Sequence, residues 1–253
     1  MDTGDIYKTN FCGDIEVINY INNKNVRIKF IESGHMKYTT SRCIRLGEVK
    51  DPYSKTVFGV GYLGEGRFTS TVKGKTTEPY VKWYSMIRRC HSVLALKNRP
   101  TYSDCTICKD WYNFQSFAEW WTSNKPSGLY DIKWELDKDL LSSCEGKVYS
   151  PNNCSIISAS LNSFMTERQN CRGDFKIGVC ERTGRSGVFL AYCNNPFLLK
   201  QEYLGQFDNE EDAHYAYKLR KFELAKELAY LPENIHVACS ILNKYKIGGS
   251  DVK

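Results

Sequence analysis

The sequence contains no long apolar run. No segment approaches the roughly 18 consecutive apolar residues a membrane helix needs, and the opening Met1-Asp2-Thr3-Gly4-Asp5 has neither the basic nor the apolar stretch of an export signal. Neither membrane spanning nor secretion is expected. Histidine is scarce, with only His35, His91, His214 and His236 available as imidazole bases. Acid is missing from one whole stretch: from Pro79 to Pro100 the chain places Lys82, Arg88, Arg89, Lys97 and Arg99 with no Asp or Glu. Cysteine is the exception, with 11 residues, an odd count. Without an export signal these read as reduced thiols in a compartment where stable disulfides are rare.

What is present describes a folded chain. At about 100 to 200 residues per domain, 253 residues make two domains or three small ones. Hydrophobic residues at 42% and charged residues at 25% match a globular average, excluding a disordered acidic chain and a fibrous repeat. The net charge of +6 is a modest pull toward polyanions. The acid-free segment concentrates that pull. Tyr80, Trp83, Tyr84, Met86 and Ile87 interleave with its bases, so one helix face can pack while the other meets phosphates or simply solvent.

The periodicities predict an α+β protein. Residues 1–75 alternate like strands, with Glu16–Tyr20 and Val26–Phe30 flanking a hairpin turn at Asn22-Asn23-Lys24-Asn25, and form a small β-barrel. Gly59, Gly61, Gly64 and Gly66 lack the Lys-Ser/Thr ending of a phosphate loop and read as the barrel's closing turn. Thr69–Thr77 reads as a linker, with Pro79 in the first turn of the helix beyond. Trp111, Phe114, Phe117, Trp120 and Trp121 have helical spacing and form a core stripe. A strand over Ile132–Asp139, a turn at Glu145–Lys147, Val148-Tyr149, and a helix from Ser158 to Met165 follow. Three strand segments, Ile177–Arg182, Val188–Cys193 and Lys200–Phe207, precede a helix over Asn209–Ala229, with Asp208 and Glu211 spaced as a capping box.

Three strings in order carry a resemblance. Leu136-Asp137-Lys138-Asp139-Leu140 ends a strand, Tyr149-Ser150-Pro151-Asn152-Asn153-Cys154 makes a turn, and Asn162 lies on the next helix. This order resembles the core of HNH endonucleases, the ββα-metal nucleases, and in particular their phage and intron-encoded homing type. Trp83–Cys90 and Trp111–Trp120 are similar to lead-in helices of phage members, so the match covers about 79–168. The resemblance implies metal-dependent hydrolysis of a DNA phosphodiester, with a divalent ion, Mg2+ or Mn2+, held by Asp137 and Asn162. Oxygen ligands suit such hard cations. It further implies that Asn153 orients the catalytic group. The family's general base is a His at the position of Lys138, and a lysine with an ordinary pKa near 10.4 cannot accept water's proton. Asp139 is then a second metal ligand or a weak base, and His91 a remote substitute. Without the surrounding string, Asp137 and Asp139 read as exposed acids in a turn. Two functions stay open: a homing endonuclease, or a regulator or inhibitor that binds DNA without cutting it.

The segment 173–232 resembles the APETALA/ethylene-response-factor type of DNA-binding domain, through Gly178-Val179, Tyr203-Leu204-Gly205-Gln206-Phe207-Asp208 and the acidic, alanine-containing Glu210–Tyr217. There the resemblance implies a three-stranded sheet in the DNA major groove, with Arg182, Arg185, Lys200 and Tyr192 toward bases or phosphates, beside Arg88 and Arg89 upstream. Residues 233–253 form a tail, and residues 1–75, with twelve bases and eight acids, add backbone contacts. Cys105-Thr106-Ile107-Cys108 has half-zinc-site spacing that Cys144 and Cys154 could complete, but the second pair is not CxxC and reduced core thiols are the plainer reading. The expected partner is double-stranded DNA and the expected state a monomer, in the cytoplasm of a phage-infected bacterial cell.

Overall fold

The computed structural model of the chain describes residues 1–129, 132–141, 147–166 and 174–247. These gather into two compact units, one from residues 1–125 and 147–151, the other from the described residues among 126–144 and 152–253. Cys144 and the turn expected at Glu145 and Gly146 lie outside the described residues. The architecture is mixed α and β, in several small sheets.

In the first unit, β1 (Ile6–Lys8), β2 (Asp14–Asn22), β3 (Asn25–Phe30) and β4 (Met36–Thr39) form an antiparallel meander in sequence order. The expected hairpin is present, with Asn22 opposite Asn25 across a two-residue turn. Alternation puts Ile15, Val17, Val26, Ile28 and Phe30 fully inside. Helix α1 (Ser41–Arg45) covers that face with Ile44, its start capped by the Thr40 hydroxyl, which accepts from the Cys43 N–H at 3.2 Å. The expected barrel does not form. β1 and β4 are the two edges of an open sheet, because four short strands whose one apolar face is already covered by a helix have neither the number nor the need to close.

The glycine segment therefore closes nothing; it docks. A side chain on Gly61 would meet the Trp83 ring at 3.0 Å, and one on Gly64, whose φ is +68°, would lie 2.2 Å from the Asn113 side-chain oxygen. The Gln115 amide fixes the same loop, donating to Phe68 O at 2.9 Å and accepting from the Phe68 N–H at 3.0 Å. The expected linker is instead a small hairpin of β5 (Thr71–Val72) and β6 (Lys75–Thr76). Its turn residues Lys73 and Gly74 have φ of 49° and 75°, the type I′ geometry that matches strand twist.

Helix α2 (Glu78–His91) starts with Pro79 in its first turn, as expected, and is followed by α3 (Val93–Asn98) and β7 (Thr106–Ile107). A 3-10 turn over Lys109–Tyr112 precedes α4 (Phe114–Asn124), whose cap Asn113 accepts from the Gln115 N–H at 3.0 Å. The aromatic stripe is core: Trp83, Met86 and Ile87 of α2 are buried, as are Trp111, Phe114, Phe117 and Trp121. The buried Trp83 indole donates to Trp111 O at 2.7 Å. After β8 (Trp134–Asp137), which belongs to the second unit, the chain returns as β9 (Val148–Tyr149), parallel to β7.

In the second unit β8 pairs antiparallel with β10 (Ser155–Ser158), setting Asp137 opposite Ser155 and Trp134 opposite Ser158. Ser158 also caps α5 (Ala159–Met165), its hydroxyl accepting from the Leu161 N–H at 3.2 Å. The strands β11 (Val179–Glu181), β12 (Phe189–Asn195) and β13 (Lys200–Phe207) form an antiparallel sheet in sequence order, backed by α6 (Glu210–Ala229) and then α7 (Ala238–Tyr245). The cap of α6 is Asn209, one residue later than expected. An amide can work both ways: it accepts from the Asp212 N–H at 2.8 Å and donates to the Asp212 carboxylate at 2.7 Å, which the carboxylate of Asp208 could not do. Ile157, Leu161, Phe164 and Met165 share one apolar core with Cys193, Tyr217, Leu224, Leu228, Val237 and Ile241. Asn234, fully buried, ties the layers by accepting from the Ser158 hydroxyl at 3.2 Å and donating to Leu228 O at 2.9 Å. Among the described residues no helix is long and apolar enough to cross a membrane.

Candidate functional site

The end of β8 turns sharply on its own aspartate. One Asp137 carboxylate oxygen accepts from the Leu140 N–H at 2.7 Å and the Asp139 N–H at 3.1 Å, so the side chain holds the bend that follows it. Burial pushes the Asp137 carboxyl above its ordinary value, and the charge of Asp139 adds to that; the two N–H donors and Lys244 pull the other way. Lys138 is buried along its stem, and its ammonium donates to Asp139 Oδ1 at 2.5 Å. Asp137, Lys138 and Asp139 are thus one local constellation.

Asn153 lies partly buried in the turn that leads into β10, two residues before the Ser155 that faces Asp137. Asn162 lies on the second turn of α5, partly buried, with its backbone carbonyl accepting from the Thr166 N–H and hydroxyl. The donor types fit a hard divalent cation: a carboxylate whose burial opposes its charge and an amide oxygen, the remainder of a coordination sphere being water. Among the described residues no three His, Cys, Asp or Glu side chains gather around a point that could hold a metal.

The second feature of this unit is the open face of the three-stranded sheet. Cross-strand register puts Cys180, Leu190 and Gln206 on one side, with Tyr192 beside Tyr203 and Asn194 beside Gln201. The opposite side packs on α6, where Glu202 accepts from Arg220 at 2.8 Å. The open side is polar with two tyrosines, whose ring centroids are 5.4 Å apart. Arg182 follows β11 and donates to Gln206 Oε1 at 2.7 Å across the strands, which sets its guanidinium on that face. Arg185 is exposed in the β11–β12 turn, and Lys200 is exposed where β13 begins. Tyr203 and Gln206 are not among the contacts expected from sequence. Their signal is hidden by the register shift after Ala191, which skips Leu204 and brings Tyr203 opposite Tyr192.

The remaining expected residues belong to the first unit or are divided between the units. Arg88 is exposed and Arg89 half-buried in the last turn of α2, Arg89 reaching the Tyr149 hydroxyl at 3.5 Å. His91 hydrogen-bonds the Tyr112 hydroxyl at 3.1 Å, and burial lowers its pKa. Cys105 and Cys108 flank β7 in the first unit, while Cys154 precedes β10 in the second. Burial raises the Cys108 thiol, which favours the protonated form over the thiolate that zinc requires. Comparison of the chain with protein-family models, with curated proteins and with solved structures finds no match to any of the three.

Proposed function

We propose that the chain is a DNA endonuclease of the HNH homing type, acting on double-stranded DNA in the cytoplasm of a phage-infected bacterium. The observation that carries this reading is the hairpin β8–β10 followed directly by α5. Asp137 ends the first strand, Asn153 lies in the turn before the second, and Asn162 lies on the helix, the order that a ββα-metal core requires. In this reading Asp137 and the Asn162 amide would hold Mg2+ or Mn2+, which supplies charge neutralisation at the scissile phosphate. Asn153 orients, through its amide, the groups around the attacked phosphate. The open face of the three-stranded sheet supports a groove-reading role, since it offers Arg182, Gln206, Asn194 and Gln201 as hydrogen-bonding side chains on one rigid surface. The test is nicking of supercoiled plasmid with magnesium or manganese. Conversion to open circles that EDTA abolishes is the expected result.

A specific observation favours the second reading, a DNA-binding regulator or inhibitor without catalysis. Lys138 stands where the family has its base, and its 2.5 Å bond to Asp139 stabilises the ammonium form. Binding of DNA at nanomolar to micromolar concentration, with no nicking in either metal on any DNA tried, would establish that alternative instead.

A further inference from the structure

The turn between β12 and β13 is apolar where a hairpin turn is ordinarily polar. Asn195 and Lys200 pair across its base, and Pro196-Phe197-Leu198-Leu199 make the turn itself. Phe197, Leu198 and Leu199 are 43%, 55% and 88% exposed, three consecutive apolar side chains at the end of the sheet opposite Arg185. Leu199 has a φ of 51°, a left-handed backbone that glycine or asparagine adopts at lower cost. A large apolar side chain thus stands where the backbone favours a small or polar one, and most of it faces solvent.

The turn is also held stiffly. The side-chain oxygen of the buried Asn195 accepts from the N–H groups of Phe197 and Leu198 at 2.8 and 3.0 Å, and its amide nitrogen donates to Glu202 at 2.8 Å. Glu202 in turn accepts from Arg220 at 2.8 Å, which ties the tip to α6 behind the sheet. Pro196, Leu199 and Lys200 continue into a cleft of about 700 Å³ that Tyr192, Asn194 and Gln201 also line, and among the described residues no Asp or Glu lines it.

We propose that this tip is a wedge that enters the base stack of duplex DNA, with Leu199 leading and Lys200 beside the backbone it displaces. Apolar side chains such as Phe, Leu and Pro separate neighbouring base pairs in this way and kink the duplex. A base step suits the tip in both size and charge. Three side chains fall far short of the roughly 800 Å² per partner that a stable protein interface buries, whereas a much smaller contact is enough for a wedge. The exposed ammonium of Lys200 and the carboxylate-free cleft suit a polyanion. Because the turn is already fixed, little conformational freedom is lost on insertion.

The inference rests on the DNA-binding part of the proposed function, and its test separates the two. Duplexes are selected from a random-sequence pool by binding to the full-length protein in EDTA. 2-Aminopurine, whose fluorescence is quenched by stacking, then replaces each adenine of a selected duplex in turn. Saturating wild-type protein should raise the fluorescence severalfold at one base step, and Leu198→Ser/Leu199→Asn should lose that rise at equal occupancy, which gel shift reports. Asparagine accepts the left-handed backbone, so thermal unfolding should place this variant at or above wild type. Leu198→Met/Leu199→Met, which keeps apolar bulk, should keep the rise. Bound duplex with no rise at any position, or a rise that survives Leu198→Ser/Leu199→Asn, overturns the wedge and leaves the function standing. Sedimentation of the wild type but not of that variant with anionic phospholipid vesicles, together with no rise on DNA, makes the tip a membrane contact, which also overturns it. Failure of the wild type to select any duplex overturns both readings together.

Discussion

Asp137 carries two roles that conflict. It caps its own bend through two backbone N–H groups, and it carries a charge in a place that penalises charge. Its folded-state pKa lies above the ordinary 3.8, so Asp137 favours the folded state fully only below that value. The contribution is lost as pH rises through the raised value, and at neutral pH the ionised form is a cost. Asp137→Asn keeps an oxygen for the two N–H groups and removes the charge. Urea unfolding should therefore show the variant gaining stability relative to wild type between pH 4 and pH 7, while nicking falls by two orders of magnitude or more and duplex affinity stays within about twofold. A residue that destabilises the fold yet is needed for cutting is the signature of a functional group; a fall in affinity equal to the fall in nicking would make Asp137 a binding residue. Beside it, Lys138→His restores an imidazole that titrates near pH 6.5. Plasmid nicking at pH 7 to 8 should rise, about tenfold or more if the base is the missing part. No rise would mean that the Lys138–Asp139 pair has its own role.

At the scale of elements, the sheet β11–β12–β13 presents hydrogen-bonding side chains on a surface that α6 holds rigid from behind. Arg182 and Arg185 are the side chains with forked guanidinium groups at one end of it, and each bidentate base contact is worth about 1 to 3 kcal/mol of discrimination. Arg182→Ala/Arg185→Ala should thus lower the ratio of specific to random DNA affinity by about thirtyfold to ten-thousandfold if both make such contacts, read in competition titrations at fixed salt. Equal loss on both DNAs would mean that the arginines touch backbone alone. Elements also mark how far the sequence is legible. The β2–β3 hairpin can be read because alternation and an asparagine-rich turn agree from Glu16 to Phe30, and the aromatic stripe of α4 because 3.6-residue spacing survives any environment. The pairing of Tyr192 with Tyr203 cannot, since a one-residue bulge flips the expected face.

For the molecule as a whole, the described units cut across the order of the motifs. The hairpin and helix that carry Asp137, Asn153 and Asn162 bury Ile157, Leu161, Phe164 and Met165 against side chains from beyond residue 190. Without those partners four large apolar side chains would be left open to water, at roughly 1.5 to 3 kcal/mol each. A chain ending at residue 172 should then be unfolded around β8, β10 and α5 and should lack all nicking, rather than cut with relaxed preference. Hydrogen exchange would show this as loss of amide protection over 134–137 and 155–165, with protection retained over 15–30. Retained protection at both would identify a core that stands by itself.

The return of the chain as β9 has a consequence for synthesis. Tyr149, almost wholly buried, is laid down after β8 but completes the first unit, while the second unit waits for Ile241 to finish its core. A ribosome adding roughly 5 to 20 residues each second needs about 5 to 20 s for the interval between those two residues. Throughout it the first unit can be finished, with its basic helix α2 formed, while β8 and its acidic bend are out of the ribosome with their core incomplete. Nascent chains would then display the basic helix α2 before the acidic bend has its packed core.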